Sequence, residues 1–140
     1  MPSMSRRAGR ALLASLVVIL VAAGSVLAAG AIGYSGRTSQ GQTVSFSISR
    51  GAVRNFKLVV HDKCPDGHTL SVNATYPAMT ITRGSFGGAF APVGGHAGER
   101  SRLQGTVGTS EVTGSVSDTS YSSRERRLCR GHTQFSARRR

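Results

Sequence analysis

Apolar and polar positions alternate along most of the chain. Val44, Phe46 and Ile48 interleave with Thr43, Ser45, Ser47 and Ser49, and a period of two is the mark of a strand with one buried face. Phe56, Leu58 and Val60 repeat the pattern after Gly51-Ala52. Leu70, Val72, Ala74 and Tyr76 do so again beyond Pro65-Asp66-Gly67, a turn in which proline presets φ and glycine permits φ > 0. Met79 and Ile81 predict a brief continuation, and Phe86 and Phe90 flank Gly87-Gly88 ahead of a loop at Pro92-Val93-Gly94-Gly95. Two further strands are predicted over 99–107 and 111–118, joined as a hairpin through Gly108 to Ser110, and Phe135 centres a closing strand over 133–137. From Tyr34 onward no stretch repeats apolar residues at helical spacing over three turns. Roughly seven to nine short strands predict an all-β fold, an antiparallel β-sandwich that is jelly-roll-like.

One segment breaks this alternation. Residues 11–33 carry no charge, 18 of these 23 are apolar, and Arg6, Arg7 and Arg10 precede them. A basic start, an apolar run and then small residues form the order of a secretory signal peptide, whose apolar part is helical. Cleavage after Ala28 places Val26 and Ala28 at the small-residue positions, and Ala29-Gly30-Ala31 offers a second cut. The alternative is an uncleaved membrane anchor reaching to about 33, since about 20 apolar residues span a bilayer. Under either reading the first arginines stay inside and the remainder is exported, to the cell envelope or beyond. The predicted organisation is a signal peptide at 1–28 and a single β domain at 29–140 with a basic C-terminal tail.

Composition narrows the picture further. The chain has 140 residues and a formal charge of +12. Without the first three arginines, 15 basic and 6 acidic side chains remain, a net of +9. From Tyr34 to Arg140 only 20 residues are Leu, Ile, Val or Phe, which excludes a multidomain enzyme, a polytopic membrane protein and a large core. So thin a core needs covalent help. Cys64 and Cys129 are the only cysteines, and in an exported chain they predict a disulfide worth about 4 kcal/mol by loop-closure entropy. A competing set, Cys64 with His68 and Cys129 with His132, has the donors of a structural zinc. Its close pairs are cysteine with histidine, though, which matches the usual zinc spacings poorly. Free or intermolecular thiols are the third reading. No metal or cofactor is expected.

Catalytic signals are weak. His61-Asp62 is the only histidine directly followed by a carboxylate, yet neighbours on a strand point to opposite faces. No Gly-x-Ser-x-Gly is present, and the glycine-rich stretches at 84–88 and 94–98 lack a P-loop lysine and a following helix. No spacing singles out a carboxylate pair among Asp62, Asp66, Glu99, Glu111, Asp118 and Glu125. The expectation is a noncatalytic binding or structural module. The alternative is a small secreted hydrolase using His61 or His96 with a carboxylate. Candidate binding residues are Arg124, Arg126, Arg127 and Arg130, around Leu128-Cys129, and the terminal Arg138, Arg139 and Arg140. Arginine forks suit phosphate or sulfate, so the expected partner is a polyanionic or carbohydrate polymer. Nucleic acid is disfavoured because only Tyr121 and Phe135 lie near these arginines to stack on bases. The plainer account is that 13 arginines against 2 lysines after Gly33 reflect genomic bias and keep a serine-rich domain soluble.

A connected series of short motifs adds a resemblance. Gly33-Tyr34-Ser35-Gly36-Arg37-Thr38-Ser39-Gln40-Gly41, Val44-Ser45-Phe46-Ser47-Ile48, Gly84-Ser85-Phe86, Val112-Thr113-Gly114-Ser115-Val116 and Leu128-Cys129 before Phe135-Ser136-Ala137 span most of the exported chain. The series resembles the small exported β domains of uncharacterised function found in actinobacteria, with their Gly-x-Tyr-x-Gly-x-Thr-Ser-Gln-Gly opening and two late-spaced cysteines. The resemblance implies export, β structure and a Cys64 to Cys129 bridge, and transfers no functional residue.

Overall fold

A computed structural model describes residues 30–140; the signal-peptide expectation at 1–28 falls outside them, as does the anchor expectation up to residue 29. The described chain is all-β and antiparallel. Its strands are β1 (Ile32–Thr38), β2 (Thr43–Ser49), β3 (Ala52–Lys63), β4 (Thr69–Tyr76), β5 (Met79–Thr80), β6 (Ser85–Phe90), β7 (Arg100–Val107), β8 (Val112–Ser122) and β9 (Arg127–Arg139).

Hydrogen bonding joins all nine into one sheet, ordered β4-β3-β2-β1-β9-β8-β7-β6, with β5 beside β3. Two meanders, β1 to β4 and β6 to β9, are stitched together where β9 lies against β1. The all-β antiparallel class is the one the alternation predicts; the strand order is not read from it, because period-two patterning fixes which side chains face inward but not which strands become neighbours. The sheet curls on itself. The long β3 and β9 pair at one position, Lys63 opposite Arg130, which closes β1, β2, β3 and β9 into a ring. Tyr76 on outermost β4 meets Phe90 on outermost β6, with ring centroids 5.2 Å apart.

One apolar cluster fills the roll. Phe56 is fully buried at its centre, within 5.1 Å of the Phe46 ring and 5.2 Å of Phe135. Val44, Val53, Val60, Leu103, Val112 and Val116 surround it. A bulge sets the phase of β3: Asn55 adopts φ 53°, the register slips between Ser45 and Ser47 of β2, and both Val53 and Phe56 face inward. Period two then carries Leu58, Val60 and Asp62 inward, so a carboxylate is buried by the same alternation that buries the core. Cys64 and Cys129 form the disulfide, which removes both sulfurs from any zinc ligand set. It joins the end of β3 to the start of β9, beside the single pair that closes the ring.

Candidate functional site

The folded chain divides the seven candidate arginines between two places. Arg124 and Arg126 occupy the turn before β9, Arg127 and Arg130 lie in its first residues, and Arg138 to Arg140 stand at its far end. Seven residues of extended chain lie between Arg130 and Arg138 and separate the groups by about 26 Å, so no single ligand group spans both. The far group is partly engaged. Arg138 lies 3.8 Å from Glu111, Arg139 Nε donates to Tyr34 Oη (3.4 Å), and Arg140 donates to the Tyr34 carbonyl (3.4 Å).

The carboxylates are occupied internally. Asp66 accepts from the backbone N–H of His68 at 2.9 Å and contacts its ring, and these bonds, the backbone one foremost, hold its carboxyl down at about 2. Glu99 accepts from the backbone N–H groups of Tyr121 and His96, both at 2.8 Å, which lowers its pKa. Ser136 donates to Glu111 (2.7 Å), and the Asp66 backbone N–H donates to Glu125 (2.6 Å). Asp62 and Asp118 are buried. Among the described residues, only Arg124 and Arg138 of the lysines and arginines have a carboxylate within 4.0 Å.

Where β3 and β9 part from their single pair, a cleft of about 500 Å³ opens. Lys63 and Arg130 form its cationic edge, and His61, His132, Ser71 and Gln40 complete most of its wall. No carboxylate lines it. Gln40, in the β1–β2 turn, fastens the divergence: its Oε1 accepts from the His61 N–H (2.9 Å), and its Nε2 donates to the carbonyls of His61 (3.0 Å) and His132 (3.4 Å). The outer imidazoles are held by serines, His61 Nδ1 to Ser71 Oγ and His132 Nδ1 to Ser117 Oγ, both 3.0 Å.

Behind the cleft lies an acid pair. Gly131, on the cleft wall between Arg130 and His132, has no side chain because Asp62 Oδ1 sits 2.1 Å from where its Cβ would be. Asp62 is fully buried, and neither of its oxygens meets a hydrogen-bond donor. It faces Asp118, whose Oδ2 accepts from Ser120 Oγ at 2.5 Å. Two carboxylates cannot hydrogen-bond to each other without a proton between them. Burial first, then the bond to Asp118 and its charge, push the Asp62 acid from 3.8 to about 7, against the opposing Ser120 contact. Tyr76, bonded to Ser101 Oγ (2.5 Å), belongs to the same interior group; burial mainly, and the two aspartates' charge in addition, push its phenol up to about 12.

His61 faces outward while Asp62 faces inward, as opposite strand faces require, and the His61 ring contacts a serine. His96 stacks on Tyr121 with ring centroids 3.7 Å apart. Lys63 and the Asp62–Asp118 pair are not singled out by spacing, and His132 only as a zinc-ligand candidate, since only the β3, β8 and β9 registers bring them together. Comparison with protein-family models and with curated proteins finds no match for this chain.

Proposed function

We propose that the protein is an exported, noncatalytic module that binds an anionic polymer of the cell envelope or the extracellular space. The observation that carries this reading is the fate of the six carboxylates. Two are buried and four are engaged by local donors, while among the described residues most arginines have no carboxylate within 4.0 Å. With those carboxylates bonded locally, few surface arginines are ion-paired, and the net charge of +9 that 15 basic and 6 acidic side chains leave after Gly33 draws polyanions by long-range attraction. Export is supported by the apolar segment at 11–33, by the resemblance to exported β domains, and by a disulfide, which persists in oxidising compartments.

Retention of the disulfide-intact domain on immobilised polyphosphate and on purified cell wall, across a salt series, tests the reading. Binding at low ionic strength that falls steeply between about 50 and 500 mM salt is expected, as the screening length shrinks below about 10 Å. Absence of retention at low salt, or retention unchanged at high salt, removes charge as the basis of function.

A further inference from the structure

We propose that the cleft between β3 and β9 is a built seat for one tetrahedral oxyanion, a phosphate or sulfate carried on the polymer, clamped between Lys63 and Arg130. The inference rests on the polyanion reading above and locates its ligand group.

Three features single out this cleft among the cationic surfaces. The first is a cost with no compensation on the surface of the cleft. Lys63 and Arg130 stand directly opposite each other on paired strands, both exposed, and like charges so placed destabilise a sheet. No carboxylate lines the cleft, and the nearest, the buried Asp62–Asp118 pair, stands behind its Gly131 wall. An anion between the two side chains turns the repulsion into a clamp, with the arginine supplying a fork and the lysine a point charge.

The second feature is rigidity. Lys63 precedes Cys64 and Arg130 follows Cys129, so the disulfide fixes the spacing of the two cations through their neighbouring residues. Gln40 spans the divergence beyond them with three hydrogen bonds. A site held in place before binding loses little conformational freedom on binding. The third feature is donor supply. Ser71 and Thr69 hydroxyls line the cleft. The Nδ1 atoms of His61 and His132 are occupied by serines, and each ring's Nε2 makes no hydrogen bond among the described residues. The C-terminal arginines lack this construction: Arg138 has a carboxylate partner, and Arg139 and Arg140 bond to Tyr34.

The test compares the native domain with a Lys63→Ala/Arg130→Ala variant and an Arg138→Ala/Arg139→Ala/Arg140→Ala variant, each with the disulfide intact. All five side chains are exposed, so the C-terminal variant is expected to unfold at the native midpoint and the cleft variant at or above it, since its like-charge pair is gone; both midpoints are measured first. Inorganic phosphate titrated into isotope-labelled protein should shift saturably the amides of 61–63 and 130–132. Polyphosphate should bind more tightly per chain than inorganic phosphate, and at least tenfold more weakly to the cleft variant than to the native domain. The C-terminal variant should lose less than threefold. Native-like polyphosphate affinity in the cleft variant, phosphate shifts confined to other amides, or equal binding of polyglutamate through the same residues overturns the seat. In those cases salt-dependent retention of the native domain leaves the broader polyanion reading standing. If the native domain is not retained on polymer at any salt while phosphate still saturates the cleft amides, the polymer assignment is the part that fails.

Discussion

The buried acid pair makes the domain's stability depend on pH in a direction opposite to that of an ordinary ion-paired carboxylate. Asp62 titrates near 3.8 when exposed and at about 7 when folded. Between those values the folded chain holds a proton that the unfolded chain has released, so stability is fully present below about pH 4 and drains away as pH rises toward 7. Each unit of displacement corresponds to about 1.4 kcal/mol, which sets a ceiling of about 4 kcal/mol for the loss. That is a large share of the roughly 5 to 15 kcal/mol that holds a typical domain together. Asp66 and Glu99 are displaced the other way. Their contributions are present above the ordinary carboxylate range and are lost as pH falls through their lowered values, so a stability maximum is expected near pH 4 to 6. Guanidinium unfolding at half-unit steps from pH 4 to 9 measures the profile. In Asp62→Asn, the amide can donate to Asp118 at every pH, and the downward slope between pH 5 and 7 should vanish. The curves should cross, with the variant the more stable protein at pH 8. A native profile that is flat or rising from pH 5 to 8, or a variant that keeps the slope, refutes the shared proton.

Two further outcomes follow from the closure of the roll. Replacing Cys64 and Cys129 together by alanine should cost about 4 kcal/mol on loop-closure grounds, read as a drop in the denaturation midpoint; a loss below about 1 kcal/mol would show that the ring closure at Lys63 and Arg130 holds without covalent help. Gly131→Ala should cost about 1 to 3 kcal/mol through overpacking, since its Cβ would meet Asp62 Oδ1 at 2.1 Å and the His61 carbonyl at 2.7 Å. The same substitution should alter the pH profile of stability, whereas an unchanged profile would place the acid pair away from the cleft wall.

The strands legible in the sequence are those whose inward positions are large and apolar. β2, β3 and β4 follow the alternation of Val44, Phe46, Phe56, Leu58, Val60 and Tyr76. β1 is not visible this way: of its seven residues only Tyr34 and Thr38 are buried, and the inward Gly36 has no room for a Cβ because the Ser136 carbonyl occupies it. The closing strand is far longer than the expected 133–137. Its inward positions before Phe135 are Cys129, Gly131 and Thr133, which leave no apolar periodicity to read. β8 likewise runs past 118, where Asp118 and Ser122 point inward in place of hydrophobic residues. The cysteine pairing was legible from count and compartment. The cleft and the acid pair were not, because each joins residues from strands far apart in the chain and depends on registers that patterning leaves open.

The pairing of β1 with β9 also fixes how the domain bears load. Tyr34 stands opposite Arg139 and Thr38 opposite Phe135, and the Arg140 N–H donates to the Gly33 carbonyl at 3.1 Å. The chain therefore enters and leaves the roll at one corner. Tension between its two ends pulls across the β1–β9 ladder and opens it one hydrogen-bonded pair at a time, as a zip opens, instead of shearing the whole ladder at once. Peeling can advance along β9 only as far as Cys129. There the covalent bridge to Cys64 takes the force, and the 65-residue span it closes cannot lengthen. Lys63 and Arg130 adjoin that bridge, so the oxyanion seat lies at the one mechanical stop in the structure.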